Sequence, residues 1–276
     1  MKLLICTDGS PAAEQAAKLV GKLGLSRDVE LTLLGVVDEH GDAAGLEASF
    51  ERMAKLLDGA ELNIARKIRR GDSYEQILEE AVAHAYDLVI VGGGGQHHGL
   101  LHFKVGSTTS KLARKLHTHF LVARNIPNQV KKVLVCTGAE APAVDTMRVS
   151  GQMLAGLPAE ITVLHVMSQI SLKPGSIPEE LIATAETAIA KNTREGQHLQ
   201  RAMQQLSQAG ITGSIIPRLR HGLVVDEVLA EVRQGKYDIM VVGAHYQPGQ
   251  NRWLGILLDD VTDQLINQAP CSVLIV

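Results

Sequence analysis

A chain of 276 residues allows one large domain or two of ordinary size, and with 45% hydrophobic and 21% charged residues it is built to fold. A formal charge of −3 carries no electrostatic footprint for nucleic acid or an anionic membrane, and no apolar run approaches the roughly 20 residues that span a bilayer. Three scattered cysteines (Cys6, Cys136, Cys271) exclude a disulfide framework or a zinc cluster, and the first strand begins too early to follow a signal peptide, so a cytoplasmic protein is expected.

Aromatics are only 3%, so the core has to be aliphatic, as in parallel strands covered by Ala-rich helices. In chain order, Leu3–Cys6 is a continuous apolar strand. Ser10 is placed to cap the next helix, Pro11 to open it, and Glu14 to lie in its first turns. Val29–Val37 is the second strand, Leu46–Leu57 a helix, Leu62–Ile68 the third strand and Tyr74–Ala85 a helix. Leu88–Val91 is the fourth strand, followed by a glycine-rich loop; Ser107–Leu116 is the last helix of this series and Phe120–Ala123 its last strand. A short polar junction, Asn125–Gln129, then leads into a second series.

The second series repeats the first. Lys2-Leu-Leu-Ile-Cys-Thr7 returns as Lys132-Val-Leu-Val-Cys-Thr137, and Thr32–Val37 as Thr162–Met167, both at an offset of 130 residues. Tyr86-Asp-Leu-Val-Ile-Val-Gly92 returns as Tyr237-Asp-Ile-Met-Val-Val-Gly243 at 151, which places a 21-residue insertion between the second and third strands of the second copy. Pro178–Ala209, rich in Ala, Glu, Gln and Leu, is expected to be one long helix kinked near Gly196. Strands alternating with helices predict two doubly wound parallel sheets, residues 1–126 and 130–276.

Ligands of open parallel sheets bind outside the carboxyl ends of the strands. There the first copy places Thr7 and Asp8 after its first strand and Val36 at the end of its second, where backbone groups can meet the edge of a base. Its fourth strand runs into Gly92-Gly-Gly-Gly-Gln-His-His-Gly99, and Gly106-Ser-Thr108 opens the last helix. Glycines let backbone approach phosphates, and a helix N-terminus with hydroxyls beside it is an anion site. The same glycines also serve a loop with no ligand. The second copy has Gly138 for Asp8, Tyr246 for Gly95 and Asp259-Asp260 for Gly106-Ser107. Two carboxylates at a helix N-terminus satisfy its dipole and repel phosphate.

These residues resemble the universal stress protein family, whose first strand ends in an Asp-Gly-Ser type turn, here Asp8-Gly9-Ser10. Its nucleotide-binding members carry Gly-x-x-Gly, nine residues and then Gly-Ser or Gly-Thr; here ten residues separate Gly95 from Gly106-Ser107. The resemblance covers the whole chain twice and implies two tandem Rossmann-like domains of the adenine nucleotide alpha hydrolase-like type. Each would be a five-stranded parallel sheet flanked by helices, with the final strands Phe120–Ala123 and Ser272–Val276 pairing as an intramolecular pseudo-dimer. It further implies ATP or a related adenine nucleotide in the first domain, with Mg2+ compatible, and a stress-response or regulatory role. Asp8, with Thr7 beside it, would contact the ribose and adenine end and Val36 the adenine, while Gly92, Gly95, Gly106, Ser107 and Thr108 would hold phosphates. Association of whole chains into a homodimer is left open.

Competing readings are few. No Gly-x-x-x-x-Gly-Lys-Ser loop and no nucleophile–base set can be argued from spacing, so slow ATP hydrolysis is the most catalysis expected. Lys111 and Arg114 stand near the expected phosphates as alternatives to plain surface residues. His97, His98, His102, His117 and His119 lack nearby acidic or cysteine ligands and read as polar loop residues before metal ligands. Cys6 and Cys136 read as core residues, with redox sensitivity of Cys6 as the lesser alternative. A scaffold or signalling module acting through the second domain and its long helix is the rival to nucleotide binding.

Overall fold

The computed structural model describes residues 1–23, 25, 28–39, 43–57, 62–93, 106–138, 143–167, 184–243 and 260–276. The first copy runs β1 (Lys2–Thr7), α1 (Pro11–Val20), β2 (Glu30–Val37), α2 (Ala44–Leu57), β3 (Asn63–Arg70), α3 (Ser73–His84), β4 (Leu88–Gly92), α4 (Ser107–Lys115) and β5 (His119–Ala123). The second runs β6 (Lys132–Thr137), α5 (Ala143–Leu154), β7 (Glu160–Met167), α6 (Ala185–Ala190), α7 (Arg194–Gln208), β8 (Ile215–His221), α8 (Val224–Gly235), β9 (Ile239–Val242), α9 (Asp260–Gln268) and β10 (Ser272–Ile275).

Packing divides the chain into two compact units that do not coincide with the repeats: Met1–Gln129 with Ala244–Ile275, and Val130–Gly243 with Val276. Strands in the first unit lie in the order β3-β2-β1-β4-β5-β10, and in the second β9-β6-β7-β8. Strands β1 to β5 pair in parallel, as do β6 with β7 and β9 and β7 with β8. β10 runs antiparallel to β5, with Val273 opposite Val122, Leu274 opposite Leu121 and Ile275 opposite Phe120. The final strands of the two copies therefore do pair, and the pairing completes the first unit.

Local chemistry sets the element ends, at Ser10 as the sequence predicts and at Asp72 as it did not. Ser10 accepts from the Ala13 N–H at 3.3 Å and Pro11 opens α1, while Asp72 caps α3 by accepting from the Glu75 N–H at 3.1 Å. Leu3, Leu4, Ile5, Leu33, Leu34, Val89 and Ile90 are all buried, as strands covered on both faces require. At the edge of the first unit, β3 carries Arg66, Lys67, Arg69 and Arg70, charges that discourage pairing with another chain. The junction is fastened to α1 by Lys18 Nζ donating to the Ile126 carbonyl at 3.3 Å and Lys22 Nζ to that of Asn128 at 2.6 Å.

One expected element is corrected. Residues 184–209 form two helices, α6 and α7, separated at Lys191–Thr193. Asn192 adopts a left-handed backbone (φ 53°), and Thr193 caps α7 by accepting from the Gly196 N–H at 3.2 Å. Asn-Thr is thus a stop and a start. Gly196 is the crossing point, since a Cβ there would fall 2.2 Å from the Ala188 carbonyl oxygen. Residues 178–183 lie outside those described.

Each unit also buries a carboxylate. Glu80, fully buried on α3, receives Tyr86 Oη at 2.9 Å, Lys67 Nζ at 2.6 Å and Arg69 Nη2 at 2.6 Å. Glu231 on α8 repeats this with Tyr237 Oη at 2.9 Å, Arg220 Nε at 2.6 Å and an ion pair to Arg218 at 3.6 Å. Burial pushes the Glu80 carboxyl up, yet its donors together hold it below the usual range. Glu80→Ala is expected to cost about 2–4 kcal/mol, low in the range for a broken buried pair because Lys67 and Arg69 remain partly hydrated. The midpoint of urea denaturation measures it. Because the folded value is depressed, Glu80's contribution is complete above the unfolded value of 4.5 and disappears as pH falls through the lower folded one.

Candidate functional site

The strand order β2-β1-β4-β5 sets the carboxyl ends of four strands side by side in the first unit: Val36, then Thr7 with Asp8, then Gly92 with Gly93, then Ala123. α4 leads directly into the start of β5, so its N-terminus, Gly106 to Thr108, faces back toward that same edge. The described residues predicted from the sequence are thus brought to one end of one sheet. Gly95 lies outside the described residues, as do His97, His98 and His102.

Each position has its own local cause. Thr7 is buried, its hydroxyl accepting from the Gly9 N–H at 3.0 Å and standing 3.4 Å from Ser49 Oγ on α2. Asp8 is exposed; its Oδ1 accepts from the Ser10 N–H at 2.9 Å, which fixes the carboxylate in the turn and leaves Oδ2 free of any described partner. Gly9 takes φ +84°, a conformation that glycine adopts without strain. β2 outruns β1, whose last pair is Thr7 with Gly35, so Val36 and Val37 project past it. On the far side Val36 lies in register with Arg69, and the Val37 carbonyl accepts from Gly71 at 2.9 Å.

The N-terminus of α4 has no side-chain cap, and Gly106 supplies none. Its first N–H groups, flanked by the exposed Ser107 and half-buried Thr108, keep the partial positive charge of an unsatisfied helix start. Gly92 has a different reason for being glycine. A Cβ there would fall 2.1 Å from the Ala12 carbonyl oxygen, so α1 crosses directly over the strand end. Gly243 repeats this in the second unit, where a Cβ would fall 2.7 Å from Thr146 Oγ1. A glycine kept in both copies for helix packing is not by itself a sign of phosphate.

Lys111 and Arg114 are engaged elsewhere. Arg114 Nη2 pairs with Asp263 at 2.7 Å, and Lys111 Nζ stands 5.8 Å from the centre of the Tyr74 ring. The cation that the sequence reading passes over is Arg124, buried at the end of β5. Its signal is a charge placed directly after the apolar run Phe120-Leu-Val-Ala123, with Val276 following the matching run in the second copy. Cys6 is buried and its thiol is pushed up by burial and then by Glu80, which makes it an inert core residue. No group of metal-ligating side chains occurs among the described residues.

The matching edge of the second unit is built differently. Gly138 replaces Asp8 and is exposed, while Asp260, one of the paired aspartates, starts α9; Tyr246 and Asp259 lie outside the described residues. At the position of Gly35 stands His165, whose Nδ1 is 3.0 Å from the Thr137 carbonyl oxygen. Its ring centre lies 5.0 Å from that of His198, and His198 Nε2 is 2.9 Å from Thr137 Oγ1. In the first unit Gly35 instead admits Leu46 and Phe50, a Cβ there falling 2.7 Å from Leu46 Cδ1. α7, which stands where α2 stands in the first copy, therefore brings an imidazole where α2 brings Ser49 and apolar side chains.

Burial, and then His165, depress His198 to about 4 from 6.5. A depressed histidine stabilises in its neutral form: its contribution is complete above pH 6.5 and is lost as pH falls toward 4. Thermal midpoints measured across that window should fall, and His198→Gln should flatten the fall. An unchanged slope in the variant would assign the acid sensitivity to other groups.

A sequence profile described as the universal stress protein family matches residues 1–124 and again residues 129–276. No curated protein sequence matches significantly. Among solved structures, a universal stress protein from Archaeoglobus fulgidus DSM 4304 aligns over 99% of this chain and 97% of its own, at 14% identity and a TM-score of 0.65. A Pseudomonas aeruginosa UCBPP-PA14 protein assigned to the same family aligns over 100% and 92%, at 13% identity and a TM-score of 0.69. A universal stress protein family protein from Arabidopsis thaliana with AMP bound aligns over 53% and 90%, at 17% identity and a TM-score of 0.35.

Proposed function

The chain belongs to the universal stress protein family, and from that premise we propose that its first unit binds ATP or a related adenine nucleotide. The carrying observation is the gathering, on one sheet edge, of a fixed carboxylate at Asp8, projecting backbone at Val36 and the uncapped start of α4. Asp8 Oδ2 has the reach and charge to accept from ribose hydroxyls, the Val36 backbone to pair with a base edge, and the Gly106–Thr108 N–H groups with their hydroxyls to hold phosphate. Gly95 keeps its proposed place beside the phosphates on sequence grounds, and Mg2+ would accompany a triphosphate there.

The second unit is proposed as a non-binding mate. Its edge has lost the carboxylate at Gly138 and carries the His165–His198 pair instead. Among the described residues of the first edge none is set to act as a base on an attacking water, so the role proposed is a nucleotide-responsive stress or regulatory one, with hydrolysis slow at most.

Calorimetry of the full chain with ATP tests the assignment. One nucleotide per chain is expected. Asp8→Ala should weaken binding about 10- to 100-fold, the range for a hydrogen bond to a charged group. Gly106→Asp should abolish it by placing a carboxylate on the helix start. Absence of binding by the unaltered protein at millimolar ATP would overturn the proposal.

A further inference from the structure

Arg124 is 5% exposed, and its main chain is fastened to the approach of β10: its N–H donates to Ser272 Oγ at 3.1 Å and its carbonyl accepts from that hydroxyl at 3.0 Å. One side-chain nitrogen is also used, Nη1 donating at 2.9 Å to the Ala269 carbonyl just past the end of α9. The other two, Nε and Nη2, are buried without any hydrogen-bond partner among the described residues. Among the described residues no carboxylate pairs with this guanidinium. Burial lowers it to about 10, opposed by Cys271, so it stays charged at neutral pH.

The identity of the unused atoms is informative. Nε–H and Nη2–H leave the guanidinium parallel, on one edge, and form the fork that grips two oxygens of one phosphate or carboxylate. A buried charge with its bidentate edge unpaired is a strongly unfavourable arrangement unless an oxyanion completes it. Gly93 makes room for that edge, because a Cβ there would fall 2.9 Å from Nε and 3.0 Å from Val122 Cγ1. The Gly93 N–H is already committed to the Ala123 carbonyl at 2.7 Å, so Arg124 is the donor on offer at this end of the row.

Position supplies the rest. From Val36 on β2 through Asp8 on β1 and Gly93 on β4 to Arg124 on β5 is three strand spacings, about 14 Å, the reach of an extended nucleoside polyphosphate. Base, ribose and phosphate chemistry follow one another along the row in that order. We propose that Arg124 is the terminal-phosphate ligand of this site, gripping two phosphate oxygens through Nε–H and Nη2–H. The proposal rests on nucleotide binding at this edge and adds that the site selects polyphosphates over nucleosides.

Calorimetry with ATP, adenosine and inorganic tripolyphosphate on the full-length protein separates the possibilities. Arg124→Gln should lower ATP affinity about 10- to 100-fold while adenosine affinity stays within about twofold. Arg124→Lys keeps the charge without the fork and should recover only part of the loss. Gly93→Ala presses a methyl on Nε and should weaken ATP but not adenosine. Should Arg124→Gln fail to fold, the lysine and alanine variants carry the test. Equal losses for ATP and adenosine, or no loss in folded variants, overturn Arg124's role while leaving nucleotide binding standing. If the unaltered protein binds neither ATP nor adenosine, the functional assignment fails, and tripolyphosphate decides this one: binding lost in Arg124→Gln upholds it, and no binding overturns it.

Discussion

The architecture hangs on a carboxylate that water does not reach. Burying an ionised side chain costs several kcal/mol unless its partners are close and well aimed, and such a group tolerates little displacement of those partners. Glu80 takes its partners from β3 and from Tyr86, just before β4, so α3 cannot shift without leaving a charge unpaired. With β3 and the approach to β4 tied to one helix, the carboxyl ends of the strands between them are held in register. Glu231 does the same in the second unit through Arg220 and Tyr237. Through both copies the Tyr-Asp lead into the fourth strand keeps its tyrosine for this reason.

That constraint runs through α3 and its charged partners rather than through Asp8 or Gly35, which left those positions of the proposed ligand edge free to diverge. In the first unit Gly35 is bare and α2 sets Leu46, Ser49 and Phe50 over the strand ends. In the second, His165 and His198 occupy the same place with Thr137, and His198, held neutral by its burial, offers no positive charge to a nucleotide. Frame and site have been under separate physical demands, and the duplication displays them separately.

Much of the frame was legible because it depends on local signals. Continuous apolar runs marked buried strands, and Ser10 with Pro11 marked a helix start, where side chain and backbone bond within four residues. The break at Asn192-Thr193 carries a comparable local signal, but strong helix formers on either side outweighed it in a reading by composition. The placement of Thr7, Asp8, Val36 and Gly92 at strand ends was legible too, since alternation of strand and helix fixes which end they occupy. Roles that depend on contacts distant in sequence were not. Gly92 owes its identity to Ala12, Arg114 its engagement to Asp263, and Arg124 its burial to the Ala269–Ser272 segment. Spacing within a motif carries no information about such partners.

The antiparallel seat of β10 beside β5 has a consequence in time. A chain emerges from the ribosome in order, and domains generally fold as they are made. Here the first unit, though synthesised first, lacks an edge strand and the Ala269 carbonyl that receives Arg124 until Ser272–Ile275 has been made. Until then β5 presents an open edge and Arg124 lacks the partners that bury it. The half that is translated first is therefore the half that matures last, and the proposed ligand edge gains its full set of neighbours only after the second copy has been made.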